Sequence, residues 1–239
     1  ARIAYWVLQY QASGEWTYHP VFHGPLLLHV ERWVVTVLEP SDAAIRLPTV
    51  LVGGGLPAVA WLFRDRLSDR EVLAMAGLLA ANPILVYYSR FMRSDILVAT
   101  FALAALGFAL RTAATGRARY AVAAGVAFGL ALGAKENALL YLLAWLGAGG
   151  LLVAWQSWTG NADLAESLVT SVRDALAAVR QYGRQAAVAL LAMLPVVWFI
   201  YVPRGSGAGS LGAALAEPST LPTALAAGLV SPPIQAVEF

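Results

Sequence analysis

The sequence predicts an all-α integral membrane protein: a polytopic helical bundle with juxtamembrane helices on its extracytoplasmic side. Hydrophobic residues make up 59% of the 239 residues and charged residues only 13%, whereas a soluble domain carries about 25% charged residues. The mean hydropathy is +0.66. Six apolar runs have the length of a membrane span or fall just below it, and they are residues 47–63, 72–88, 96–110, 120–134, 138–155 and 186–202.

Residues 1–46, ahead of these runs, are predicted to form an extracytoplasmic loop with juxtamembrane helices. The apolar run at 26–38 is too short to cross a bilayer, since it reaches roughly 20 Å against about 30 Å of hydrocarbon. His29, Glu31 and Arg32 also interrupt it. Ser41 or Asp42 is the predicted cap of the helix that follows.

The six spans of the predicted bundle at 47–203 place alternate loops on opposite sides. The loops at 64–71, 111–119 and 156–185 carry nine arginines, which makes their side cytoplasmic by the positive-inside rule. The other side receives the turn at 89–95, residues 135–137 and both ends of the chain, so three polar stretches converge there. Small residues at Gly125, Gly129 and Gly133 predict close helix packing, and 53–55 is assigned the same role.

Two further segments complete the predicted organisation. Residues 161–184 have apolar residues at helical spacing, with Asp163 and Glu166 at the N-terminal end, and predict an amphipathic cytoplasmic helix. Residues 204–239 are rich in Gly, Ser, Ala and Pro and predict a flexible extracytoplasmic loop. The G-x-G-x-x-G at 207–212 does not indicate a dinucleotide site, because no strand precedes it.

The turn at 89–95 concentrates the chemistry of the chain. Arg90, Arg93 and Asp95 lie beside Tyr88 where two apolar runs meet an interface. The arginines could be snorkelling anchors. Ionisable groups at membrane depth are functional candidates by default, which favours one wall of a site for an anionic, lipid-linked substrate.

Lys135 is the one lysine among 16 basic residues. A compact ammonium acts as a point charge on phosphate, which favours a donor-phosphate contact over simple anchoring. The alternative is an ion pair between Lys135 and Glu136. Asp95 and Glu136 each have two interpretations, a carboxylate that pairs with an arginine or a ligand of a divalent metal ion.

His19 and His23 have the i, i+4 spacing of helical zinc ligands, but the intervening Pro20 and following Gly24 argue against a regular helix. An aromatic interfacial belt is the equal alternative. The net charge of only +2 gives no reason to expect a nucleic-acid partner. Without cysteine there is no disulfide framework, and without an internal repeat a transporter is disfavoured.

Three motifs in order resemble the C-type membrane glycosyltransferases, which include the protein O-mannosyltransferases and the aminoarabinose transferases of lipid A. Within that superfamily, the closest resemblance is to archaeal proteins associated with flipping of dolichyl-phosphate-linked saccharides. It covers about residues 1–155 and rests on Tyr18-His19-Pro20-Val21-Phe22-His23-Gly24-Pro25-Leu26, on Ser89-Arg90-Phe91-Met92-Arg93-Ser94-Asp95 and on Gly133-Ala134-Lys135-Glu136-Asn137.

This resemblance implies a multi-pass protein of the cell membrane with an extracytoplasmic active face. Such enzymes transfer a sugar from a polyprenyl (dolichyl) phosphate with inversion. Lys135, Arg93, Arg90 and His23 are then expected to bind the donor phosphate, supported by Asp95, Glu136, His19 and Tyr88. The catalytic base is expected in an acidic pair upstream of Ala1, and His23-Gly24-Pro25 departs from the family's His/Lys-Pro-Pro-like element. The alternative is a non-catalytic membrane protein that binds lipid-linked saccharides or is associated with their flipping.

Overall fold

The computed structural model describes residues 2–19, 24–159 and 164–230, and across them the fold is helical apart from one isolated bridge between Trp16 and Arg204. This confirms the predicted fold class. The α-helices are α1 Arg2–Ser13, α2 Leu26–Val37, α3 Asp42–Gly55, α4 Asp69–Ala81, α5 Pro83–Ser89, α6 Asp95–Thr115, α7 Ala118–Ala134, α8 Leu139–Thr159, α9 Leu164–Tyr201, α10 Leu211–Ala216 and α11 Leu221–Leu229.

Three stretches among the described residues are long and apolar enough to cross a membrane: Asp42–Phe63, Asp95–Thr115 and Arg180–Tyr201. The first begins at the predicted cap, where the Ser41 hydroxyl accepts a hydrogen bond from the backbone N–H of Ala44. Two other predicted spans correspond to shorter apolar helices, Ala118–Ala134 and Glu136–Leu152. Helix α2, with 12 residues, is not among the candidate spans, and its juxtamembrane position stays a prediction.

The predicted span at 72–88 is not one straight helix. Helices α4 and α5 meet at Asn82 with a bend of 55° and count as a fourth span only when taken together. Pro83 explains the break, because it has no N–H to continue the helix and holds the residue before it in an extended conformation. The Asn82 side chain then caps α5 by accepting from the N–H groups of Ile84 and Leu85.

Helices α6, α7 and α9 form the centre of the bundle. A left-handed Gly116 (φ 66°) ends α6 and lets α7 return antiparallel beside it. Gly125, Gly129 and Gly133 of α7 pack successively against Ala189, Val196 and Ile200, so α7 and α9 run parallel. The small-residue ridge is thus confirmed. In the second predicted group of glycines, residues 53–55, only Gly53 is in a tight contact, and it packs against Ser89.

The antiparallel pair α6 and α7 defines two ends of the bundle. At one end, Lys135 contacts Asp95 and the Tyr201 hydroxyl lies 3.0 Å from the Leu132 carbonyl. At the other end, Arg111 forms an ion pair with Asp65 at 3.3 Å and the Tyr182 hydroxyl donates a hydrogen bond to the Ala113 carbonyl. The stretches expected on opposite sides of the membrane therefore lie at opposite ends.

The predicted division of residues 161–202 into an amphipathic helix and a separate span is corrected, because α9 is a continuous helix of 38 residues. No proline or turn sequence separates its halves, and one glycine at 183 costs a helix only about 1 kcal/mol. Asp163 lies outside the described residues.

The predicted loop at 204–239 is also corrected over 211–229, where α10 and α11 form. Ala224 of α11 is fully buried and its carbonyl accepts a hydrogen bond from the Trp198 indole. Gly228 also packs against Trp198. Small residues therefore serve helix packing here, a use that composition alone does not distinguish from a linker.

Candidate functional site

The site forms where the N-terminus of α6 meets the C-terminus of α7. Asp95 lies in the first turn of α6, and Lys135 follows α7 in an extended conformation. An acid at a helix N-terminus and a base at a C-terminus both complement the helix dipoles. Because the two helices are antiparallel neighbours, these favourable placements also bring the two side chains together.

The Asp95 carboxylate holds two cations at once. Lys135 Nζ donates to Asp95 Oδ1 at 2.9 Å, and Arg93 Nε lies 2.9 Å from Oδ2. The Arg93 guanidinium also sits 5.1 Å from the centre of the Tyr88 ring. The side chains of Lys135, Arg93 and Asp95 remain 20%, 55% and 29% exposed, so the cluster is accessible from one side. The predicted phosphate ligands Lys135 and Arg93 therefore lie together with two of the predicted supporting residues, Asp95 and Tyr88.

Arg90 stands next to this cluster at the end of α5. It is exposed, and its backbone N–H closes the helix on the Tyr87 carbonyl. Arg90, Arg93 and Lys135 thus give this part of the chain three basic residues, of which Arg93 and Lys135 contact the Asp95 carboxylate. The local excess of positive charge favours the binding of an anion.

Glu136 points to a different set of partners from those of Lys135. Its Oε1 accepts hydrogen bonds from the Tyr18 hydroxyl (2.8 Å), the Gly24 N–H (2.8 Å) and the Tyr201 hydroxyl (3.2 Å). The proposed ion pair between Lys135 and Glu136 is corrected, because the ammonium of Lys135 bonds Asp95 instead. Burial and the Glu136 carboxylate raise the pKa of Tyr18, so this hydroxyl stays a hydrogen-bond donor.

Two features of the structure require glycine at position 24. Its φ is +68°, and a Cβ there would strike the backbone carbonyls of Gly133 and Ala134. A proline at this position could neither adopt that φ nor donate the N–H that Glu136 accepts. The departure from the Pro-Pro-like element at Gly24 thus has a structural reason.

His19 and His29 lie in different surroundings. His19 is exposed, with its ring centre 5.8 Å from that of Trp6 and its Nε2 3.4 Å from the Thr17 hydroxyl. His23 lies outside the described residues. His29 is tied to Ile200, whose carbonyl accepts from Nε2 at 2.8 Å. Burial, assisted by the positive charge of Arg204, lowers the pKa of His29 to about 4, so its ring is neutral at neutral pH.

Two apolar grooves flank α2. One has a volume of about 430 Å³ and reaches Phe199 and Trp33, and the other has about 340 Å³ and reaches Phe101. They share Leu26, Val30 and Leu130. Leu130 precedes Lys135 by five residues, which is roughly 7.5 Å along a helix. The apolar surface therefore begins close to the cationic cluster.

Glu31 is the functional candidate that the sequence pattern did not single out. It lies on the buried face of α2 with Leu28 and Val35, and it is fully buried. Within the described residues, neither carboxylate oxygen has a hydrogen-bond partner. Burial raises its pKa to about 8. Its position among apolar residues at helical spacing was the available signal.

Across residues 2–19, 24–159 and 164–230, no three His, Asp or Glu side chains lie close enough to hold a metal ion. Both oxygens of Asp95 are engaged by Lys135 and Arg93. A divalent metal at Asp95 stays a prediction.

A family model described as dolichyl-phosphate-mannose-protein mannosyltransferase matches residues 19–199. The matched region includes the turn at 89–95, Lys135 and Glu136. No curated protein and no solved structure gives a significant match to the chain.

Proposed function

The chain belongs to the dolichyl-phosphate-mannose-protein mannosyltransferase family, and on that premise we propose that it binds a polyprenyl (dolichyl) phosphate sugar with Lys135, Arg93 and Arg90. The sugar passes to an acceptor at the extracytoplasmic face, with inversion at the anomeric carbon. Family membership supports polyprenyl-phosphate-sugar-dependent glycosyl transfer in general. The donor site, its residues and its face are our proposal.

One observation carries this assignment, the sharing of the Asp95 carboxylate by Lys135 and Arg93. A carboxylate between two cations fixes both, so they need little reorganisation when an anion arrives. Asp95 neutralises only one of them, and Arg90 adds a further charge nearby. The surplus positive charge suits a phosphate that gains charge as it leaves.

The chemistry of transfer makes use of this surplus. The acceptor oxygen forms a bond to the anomeric carbon while the bond from that carbon to the phosphate oxygen breaks. The electron pair stays on the phosphate, where the three cations stabilise it, and the acceptor proton passes to a carboxylate base. The apolar grooves beside α2 provide a surface for the polyprenyl chain, whose phosphate then reaches Lys135.

The second candidate is a protein that binds the lipid-linked sugar without transferring it. Both oxygens of Asp95 are held in ion pairs, and Oε1 of Glu136 already accepts three hydrogen bonds. Asp95 is therefore not poised to take a proton from an acceptor, and Oε1 of Glu136 is already occupied. This engagement of both acids is the observation that favours binding alone.

The experiment compares binding and sugar release in one preparation of the protein in lipid nanodiscs. Polyprenyl phosphate mannose is the probe, and the products are polyprenyl phosphate and free or transferred mannose. Turnover that Lys135→Ala abolishes supports the transferase, whereas saturable binding without turnover establishes the binding protein. Donor binding that neither Lys135→Ala nor Arg93→Ala weakens would refute the proposed site.

A further inference from the structure

A pocket of about 260 Å³ lies between α1 and the segment that follows it, and the donor site does not use it. Its walls combine the aromatic rings of Trp6, Tyr10 and Trp16 with the polar side chains of Gln9, Glu15 and Thr17. Gln9, Glu15 and Thr17 are exposed. The two grooves beside α2 have almost entirely apolar walls, so this pocket differs from them in kind.

The mixture of groups matches the two surfaces of a sugar ring. A pyranose has faces of C–H groups, which pack on indole and phenol rings, and edges of hydroxyls that both donate and accept hydrogen bonds. An amide, a carboxylate and a hydroxyl side chain supply both kinds of partner. A lipid chain would leave these polar groups without partners, at a cost in free energy.

The shape of the pocket is held by contacts on several sides. The Trp16 ring packs edge-on against His29 at 4.7 Å, and the backbone of Trp16 pairs with that of Arg204 in both directions. The Ser13 hydroxyl accepts from the N–H of Glu15 and fixes the turn after α1. These contacts mean that the aromatic wall is formed before any ligand arrives.

The inner end of the pocket leads towards the donor site. Trp16, His19 and Leu28 line the pocket and also a small adjoining cavity, whose other walls include Tyr18 and Gly24. Tyr18 and Gly24 both donate to Glu136, which follows Lys135 in the chain. The adjacent residues Lys135 and Glu136 therefore connect the phosphate cluster with this pocket.

We propose that the pocket between α1 and residues 13–19 binds a saccharide, and that the acceptor of the transfer is a sugar hydroxyl rather than a protein side chain. The binding part stands on the geometry of the pocket alone. The role of the bound sugar as acceptor rests on the proposed transferase function.

The test uses methyl glucoside, methyl galactoside and methyl mannoside with the protein in nanodiscs, followed by saturation-transfer NMR and tryptophan fluorescence. We expect at least one hexoside to bind, and Trp16→Leu to weaken it roughly tenfold, the scale of one good aromatic contact with its hydrogen bonds. The double variant Gln9→Ala with Glu15→Gln changes only exposed side chains and should weaken binding without affecting folding. Trp33→Leu is the control, because Trp33 is 69% exposed and lines an apolar groove instead.

Binding of no hexoside, or binding that Trp33→Leu reduces as much as Trp16→Leu, would overturn the proposal. So would saturable binding of a Ser/Thr-rich peptide in this pocket in place of the hexosides. Polyprenyl phosphate binding is measured on the same samples to separate the two hypotheses. Hexoside binding by protein that fails to bind polyprenyl phosphate supports the pocket and refutes the donor site.

Discussion

Replacing Glu31 by Gln should stabilise the protein at neutral pH and leave it unchanged in acid. Glu31 is fully buried on α2 without a hydrogen-bond partner among the described residues, and its pKa rises from 4.5 to about 8. Between these values the unfolded chain has lost the proton and the folded chain retains it. Because the native state then binds more protons, the free energy of unfolding falls as pH rises.

The size of the effect follows from the two pKa values. At pH 7 the unfolded carboxyl lies about 2.5 pH units above its pKa, and each unit corresponds to about 1.4 kcal/mol. Ionisation therefore favours the unfolded chain by about 3 kcal/mol at pH 7 and by almost nothing below pH 4.5. Gln resembles the protonated acid in the folded state but cannot ionise in the unfolded state, so Glu31→Gln recovers this difference.

Unfolding of the purified protein in detergent by heat or denaturant, at pH 4.5 and pH 7, measures the effect. Hydrogen exchange of α1 and α2 locates it, since the face of α2 that carries Glu31 packs against Val7 of α1. Glu39→Gln is the matched control because Glu39 is exposed just after α2. Equal stability of the Glu31→Gln variant and the wild type at both pH values would show that the carboxyl is solvated or paired.

Two further predictions concern the site and its orientation. Gly24→Ala should destabilise the protein by more than about 2 kcal/mol and detach the N-terminal segment from Glu136. Gly14→Ala is the control and should cost only about 1 kcal/mol, because Gly14 also has a positive φ but has open space around it. Equal unfolding temperatures for the two variants would contradict the close packing of Gly24. Cysteines introduced at Ser94 and Ser68 should react with an impermeant reagent from opposite sides of sealed vesicles, and labelling of both from one side would refute the topology.

The sequence predicted the helical membrane fold, the ridge on α7 and the convergence of the polar stretches, because these depend on composition, periodicity and parity. It also identified Lys135, Arg93 and Asp95, since charges between apolar runs are conspicuous. The pairing of Lys135 could not be predicted. Glu136 is its neighbour in the chain, but Asp95, 40 residues away, is its partner, because antiparallel helix ends decide which side chains meet.

The remaining differences arise from packing that one sequence does not display. Tyr201 reaches Glu136 across 65 positions, and no local pattern links the two. Gly24 departs from the family's His/Lys-Pro-Pro-like element, and the reason lies in its positive φ and in the nearby Ala134 carbonyl, neither of which the sequence displays. The small residues at 211–229 predicted a linker by composition, whereas Trp198 supplies the surface on which they fold.

The affinity of the protein for a polyprenyl phosphate tests the donor site most directly. Isothermal titration in nanodiscs should show Lys135→Ala losing 1.5–3 kcal/mol, the approximate scale of a hydrogen bond to a charged group, which is roughly a 10- to 150-fold weaker affinity. Arg66→Ala, which removes an exposed arginine from the loop at 64–71, should leave the affinity unchanged. Unchanged affinity in a folded Lys135→Ala protein, or an equal loss in Arg66→Ala, would contradict the proposed phosphate site.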